Sequence, residues 1–274
     1  MRAPRLLAPV LLLLTACASL TSGSGPRTSP DAHLQHILDR GELRVGVTAD
    51  QPPLNMRDRN GDVVGFEIDI VQALAHAMGL ELRLVVQPFA DLLPGLERGE
   101  TDLVISGLTM TPERNARVAF AGPYYISGMS VLSRAKEIVD VEDPVALDVG
   151  GRRYAALAGT TSEKFVRDIL SKATLLSAPD YEVGVQMVID GRADALLADS
   201  LVCSLATWRH PDAGLRAMAT PFTVEPLGIA IPPDAPLLLN LVDNYVDTLE
   251  YTGLLASFKA KWLADGSWMK QLPR

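Results

Sequence analysis

Asp102-Leu103-Val104-Ile105-Ser106-Gly107-Leu108-Thr109-Met110-Thr111-Pro112-Glu113-Arg114 reads as a short apolar strand, a turn of small and hydroxylic residues, and a helix start. Thr111 is a good N-cap, Pro112 suits the first helical position, and Glu113 complements the positive helix end. Backbone amides, hydroxyls and a guanidinium thus converge beyond the C-terminal end of a strand. Such a place suits a small carboxylate, because helix-start amides favour an anion and arginine grips it with two parallel hydrogen bonds. A solvated helix arginine would look the same locally, so the surrounding chain has to decide.

Upstream, Leu43–Val47 reads as a strand. Ile68, Val71, Leu74, Ala75 and Met78 then recur at helical spacing, with Gly79 as the stop. Leu82–Val86 is a second strand, and Asp91 opens a short helix carrying Leu92, Leu93 and Leu96. Downstream the same grammar returns. Tyr154–Leu157 is strand-like, and Gly159-Thr160-Thr161-Ser162-Glu163 is a turn rich in N-cap residues before the helical pattern Phe165, Val166, Ile169, Leu170. Leu175-Leu176, a helix from Pro179-Asp180, and the strand Ala195–Ala198 with Asp199 just past its end complete it. Alternating strands and helices imply an α/β fold with parallel sheets.

The two halves match directly. Gly99-Glu100-Thr101-Asp102-Leu103-Val104-Ile105 parallels Gly191-Arg192-Ala193-Asp194-Ala195-Leu196-Leu197, each a helix stop, a turn, an aspartate and an apolar strand. Two α/β lobes follow, the first from 41–124 plus 228–274 and the second from 129–221, with hinge crossings at 125–128 and 222–227. Ligands of open parallel sheets bind beyond the carboxyl ends of strands. Arg114 follows such an end in one lobe and Asp199 in the other, so a cleft between lobes would bring a cation and an anion to one ligand.

With 274 residues, 48% hydrophobic, and a net charge of −8, the chain has a globular composition whose acidity disfavours nucleic acid and anionic membrane surfaces. Arg2 and Arg5 before the apolar stretch Leu6–Leu14 read as a secretory signal over 1–17. Leu14-Thr15-Ala16-Cys17 resembles the bacterial lipobox, in which Cys17 is lipid-modified; cleavage after Ala16-Cys17-Ala18 is the alternative. Residues 18–40 form a leading segment, whose Ser/Thr/Gly/Pro-rich part Ser19–Pro30 is a flexible tether. Cys203 lies in an apolar stretch and reads as a buried, inert thiol. His33, His36, His76 and His210 show no metal-ligand spacing, and neither a phosphate loop nor a Gly-x-Ser-x-Gly elbow is present. No metal, cofactor or catalytic residue is expected.

Over about residues 41–265 the chain resembles the extracellular solute-binding proteins of family 3, the polar amino-acid receptors of ABC importers. The resemblance rests on Gly41–Val47, Gly65-Phe66-Glu67-Ile68-Asp69, Leu103–Arg114, Phe120-Ala121-Gly122-Pro123-Tyr124-Tyr125, Gly159-Thr160-Thr161, Gly191–Ala195, Gly228-Ile229-Ala230 and Lys261-Trp262. It implies a two-lobed periplasmic-binding-protein fold of type II that closes over an amino acid. It implies that Arg114 binds the α-carboxylate, helped by Thr109 and by amides near Thr161 and Ser162. Asp199 would bind the α-ammonium, helped by the Ser106 and Gly107 segment, and Phe89 would lie on the ligand side chain. It further implies an extracytoplasmic monomer, here anchored through the lipobox-like Cys17, whose partners are the small-molecule ligand and ABC permease subunits.

Two positions depart from the family pattern. Gln51 stands where an aromatic often precedes the Pro-Pro turn, and Leu54 stands where a Phe usually follows it. Gln51 either hydrogen-bonds a polar ligand side chain or faces solvent. The chain also resembles cyclohexadienyl dehydratases around Gly159–Phe165, Arg209-His210-Pro211 and Pro221-Phe222. Dehydration needs a general acid, yet the matched positions are Val202 and Leu157, which carry no transferable proton. A receptor is the expected function, with the dehydratase and a ligand-sensing module as alternatives.

Overall fold

The computed structural model describes residues 32–264 and 266–272. The signal sequence, Cys17 and the tether lie outside those residues. None of the described helices is long and apolar enough to cross a membrane.

Two five-stranded sheets carry the fold. In the first, the strands run in the order Glu81–Val86, Glu42–Val47, Leu103–Val104, Glu225–Ile231, Ala119–Ser127. In the second, the order is Thr174–Ala178, Arg153–Leu157, Ala195–Asp199, Met129–Ser133, Arg216–Ala217. The first three strands of each sheet are parallel, and the last two are antiparallel to their neighbours. Both sheets are therefore mixed, where alternation had suggested parallel ones. Only Gly128 separates Ala119–Ser127 from Met129–Ser133, so the chain runs directly from one sheet into the other. The return passage pairs beside it, Glu225 with Ser127, Pro226 with Ile126 and Leu227 with Tyr125.

The repeated aspartates do equivalent structural work. Asp102 accepts the backbone amide of Arg44 at 2.8 Å and its guanidinium at 2.8 Å. Asp194 accepts the amide of Arg153 at 2.7 Å and its guanidinium at 2.8 Å. Each clamps the start of its strand to a neighbouring strand.

Helices cover the sheets on the faces their periodicity predicts. Phe66–Met78 buries Phe66, Ile70, Val71 and Leu74, each worth about 1.5–3 kcal/mol relative to exposure. Gly79 ends it with a left-handed φ of 69°. The helix expected to open at Asp91 starts two residues earlier, at Phe89, which places a buried aromatic ring at its first position. The leading segment contains a helix, Ala32–Arg40, that buries Ile37. After Pro236–Tyr251 and Leu254–Lys259, Trp262 returns to the first core and donates its indole N–H to Asp69 at 2.7 Å.

Candidate ligand-binding cleft

One cleft gathers residues from both sheets. Gln51, Phe89, Gly107, Thr109 and Arg114 line it from the first lobe. Thr160, Thr161, Ser162, Tyr181 and Asp199 line it from the second, and Glu225 enters from the return passage. The cavity left between them is small, about 10 Å³.

Arg114 reaches it because Thr111 caps the short helix Pro112–Asn115, its hydroxyl accepting the Arg114 amide at 3.2 Å. The guanidinium lies 5.6 Å from the centroid of the Phe89 ring. It donates to the carbonyl of Thr109 at 2.9 Å and, across the cleft, to that of Gly159 at 3.1 Å. Burial pulls its pKa below the ordinary value, with Glu225 opposing that pull.

Asp199 ends the strand Ala195–Asp199 and caps the helix Ser200–Arg209, where sequence placed it just beyond the strand. One carboxylate oxygen accepts the Leu201 amide at 2.8 Å, and the other accepts the Ser127 hydroxyl. Burial raises its pKa to about 6, against the lowering effect of those two bonds. Thr160 caps the helix Thr161–Ile169 by accepting the Glu163 amide at 3.2 Å. The first helical amides, Thr161 and Ser162, have no intrahelical acceptor and face the cleft end of that helix.

Ser106 sits differently from its expected place beside the ammonium. It is fully buried, and its hydroxyl accepts the Thr48 amide at 3.0 Å and donates to the Thr48 hydroxyl at 3.0 Å. The short step from strand to turn leaves the side chain pointing back into the core, so only the backbone of that segment borders the cleft. Gln51 does not face solvent: it is 2% exposed and lines the cleft. Leu54 is wholly in the core, so it never competed for a ligand position.

Sequence reasoning missed Glu225 and Glu67. Glu225 accepts the hydroxyls of Thr109 at 2.9 Å and Thr161 at 3.2 Å, one from each lobe, and that of Thr223 at 3.4 Å. No local motif marks it, because it comes to the site only through strand pairing of the two passages. Glu67 is fully buried and accepts the Gly107 amide at 2.7 Å, the Asn55 side chain at 2.6 Å and the Tyr124 hydroxyl. Burial raises its pKa, and these donors oppose the rise. It holds the Ser106–Gly107 turn in place; its signal was the run Gly65–Asp69.

With this geometry in view, the relatives can be compared. A family model described as bacterial extracellular solute-binding proteins, family 3, matches residues 43–265. The chain belongs to this family. It is 30% identical over 227 residues to the ABC transporter arginine-binding protein 1 of Escherichia coli K12, covering 81% of this chain and 90% of that one. It is 28% identical over 253 residues to a cyclohexadienyl dehydratase of Pseudomonas aeruginosa, covering 92% and 94% of the two chains. Among solved structures, an arginine-binding protein from T. maritima, as its P235GK mutant, aligns with a TM-score of 0.79 and 30% identity over 85% of this chain and all of that one. The ancestral amino acid-binding protein AncCDT-1, a precursor of cyclohexadienyl dehydratase, aligns with a TM-score of 0.75 and 34% identity over 84% and 98%. These neighbours are two-lobed solute-binding proteins, the architecture found in this family 3 chain.

Among the described residues no group of three or more His, Cys, Asp or Glu is arranged to hold a metal. Cys203 is buried, and burial, reinforced by Asp199, pushes its thiol well above the ordinary range.

Proposed function

We propose that this protein is an extracytoplasmic receptor that captures an amino acid for an ABC importer by closing its two lobes. The observation that carries the reading is the presence in one cleft of Arg114 from the first lobe and Asp199 from the second. Arg114 takes the α-carboxylate, with the Thr109 hydroxyl and the Thr161 and Ser162 amides completing its shell. Asp199 takes the α-ammonium beside the Gly107 backbone, and Phe89 and Gln51 border the ligand side chain. The hinges are the two paired passages, 125–128 and 222–227. A relative named for arginine supports an amino acid as the ligand.

A thermal-shift screen of the amino acids tests the reading, because a ligand that binds only the folded state raises the melting temperature by mass action. Small-angle scattering should then show compaction on saturation, since a ligand bridging both lobes favours the closed state. An unchanged radius of gyration counts against a hinged receptor. In the same reading Cys17 carries the lipid anchor, and Cys17→Ala should release the protein from membranes, two acyl chains being what stable anchoring requires.

The dehydratase similarity favours a second reading, turnover of arogenate or prephenate. Val202 and Leu157, the positions matched to its proton donors, are buried apolar residues. Glu225 is a carboxyl in the cleft, but it acts there as acceptor for three hydroxyls. A receptor without turnover is therefore the reading adopted. Enzyme-dependent release of phenylpyruvate or phenylalanine, lost on mutating Arg114, would reverse it.

A further inference from the structure

The return passage changes lobes at Glu225. Before it, the Phe222 amide donates to the Met129 carbonyl at 3.0 Å, and the Thr223 hydroxyl accepts the Met129 amide at 2.8 Å. Met129 begins a strand of the second sheet. After it, the Pro226 carbonyl accepts the Met110 amide at 2.8 Å, and the Gly228 amide donates to the Leu108 carbonyl at 3.1 Å. Leu108 and Met110 belong to the first lobe. Val224 and Glu225 lie between these two sets of bonds, and Glu225 pairs with Ser127 of the other passage. The pivot of this passage therefore carries a carboxylate, and Glu225 is buried while Val224 is exposed.

That carboxylate bridges the lobes. Its Oε2 accepts the Thr109 hydroxyl from the first lobe at 2.9 Å and the Thr161 hydroxyl from the second at 3.2 Å. Two further links cross the cleft. The Arg114 guanidinium donates to the Gly159 carbonyl at 3.1 Å, and Lys164 lies 3.5 Å from Glu113. The Lys164–Glu113 pair is exposed on both sides and contributes little. The bonds to Glu225 are sheltered and have an anionic acceptor, which makes them the stronger kind.

With these groups in contact the cleft keeps a cavity of about 10 Å³, room for about one water. An amino acid enters only when the lobes part. Thr109 is bridged to Leu227, on the same side of the pivot as Pro226. Parting the lobes therefore leaves the Thr109 bond in place and pulls the Thr161 hydroxyl away.

We infer that Glu225 is a positioning residue that latches the two lobes: through the Thr161 hydroxyl it biases the ligand-free protein toward the closed arrangement, without abolishing the open one. The inference goes beyond the receptor reading above, in which opening admits the ligand. A latch of this kind lowers the apparent affinity by the fraction of molecules that are open. The hinge then sets the affinity as well as permitting the motion.

Small-angle scattering of the mature, ligand-free protein tests it, with melting curves to confirm that each variant is folded. Glu225→Ala removes the bridge. Thr161→Val removes its second-lobe arm and keeps the side-chain shape and the backbone amide. Each should raise the ratio of open to closed molecules by about tenfold or more, the worth of one hydrogen bond to a charged group. The radius of gyration should rise in both, and Glu225→Gln, which keeps an acceptor oxygen, should fall between Glu225→Ala and the native protein. Combining Glu225→Ala with Thr161→Val should open the protein no further than Glu225→Ala alone, because both act on one bond. A radius unchanged in a folded Thr161→Val or Glu225→Ala variant overturns the latch, and so does a double variant whose opening is the product of the two single effects. These measurements need no ligand, so either result leaves the receptor reading standing. Failure of every amino acid to raise the melting temperature overturns that reading instead, and the scattering still decides the latch.

Discussion

Replacing Arg114 by alanine removes the anion grip while leaving the scaffold. Of the five N–H donors of a guanidinium, one is used on the Thr109 carbonyl and one on the Gly159 carbonyl. Three remain for a ligand carboxylate. Two charge-assisted bonds lost at roughly 1.5–3 kcal/mol each amount to about 3–6 kcal/mol. The dissociation constant should therefore rise on the order of a hundredfold to ten-thousandfold. The bond to Gly159 also joins the two lobes, so its loss opens the ligand-free protein and adds to the effect. Isothermal titration with the ligand found by thermal shift measures the loss, and circular dichroism confirms the fold. Arg114→Lys should fall between, keeping the charge but not the planar fork. An alanine variant that binds with near-native affinity would refute the assignment of the carboxylate to this residue.

Asp199→Asn should weaken amino-acid binding by about a hundredfold or more while sparing the deaminated acid of the same side chain, because only the pair with the ammonium is lost; equal weakening of both ligands, measured by titration, would make Asp199 structural. The raised pKa of Asp199, about 6 against 3.8, means that the folded protein binds a proton here more readily than the unfolded chain. Its contribution to the ligand-free fold is accordingly present below about pH 4 and lost as pH rises through 6, so this part of the melting-temperature profile should flatten in Asp199→Asn. Ligand affinity runs the other way, since the ammonium needs the ionised carboxylate, and should fall about tenfold from pH 7 to pH 5 by titration. Glu67→Leu should strand the Gly107 amide, the Asn55 side chain and the Tyr124 hydroxyl in the core; a loss of several kcal/mol, read as a drop of about 10 °C in melting temperature, is expected, with Glu67→Gln retaining part of it.

Local sequence determined the elements and their ends. Thr111 and Asp180 cap the helices they were read to start, and Thr160, one of several N-cap residues in its turn, caps a third, each accepting an amide from the first turn. Gly79 and the twin aspartates 102 and 194 mark the helix stop and strand starts they were read to mark. These features depend on interactions within a few residues or on strict periodicity, so they are written along the chain. Arg114 and Asp199 were legible as candidates for the same reason, each following a strand end.

Tertiary structure alone decided what shares a space. The sheets became mixed because the strands that carry the chain between lobes pair antiparallel with Glu225–Ile231 and Ala195–Asp199, long-range partners that alternation does not reveal. Ser106 was drawn into a buried network by Thr48 and Asn55, residues 58 and 51 positions away. Glu225 gained its place from the antiparallel pairing of two passages almost a hundred residues apart in sequence, Glu225 opposite Ser127. Gln51, with two readings open, was drawn into the cleft because Gly107, in the turn after Leu103–Val104, leaves room for its amide. Caps and periodicity act over one turn of chain. Burial, register and the neighbours of a polar side chain are set by segments that meet only when the chain folds.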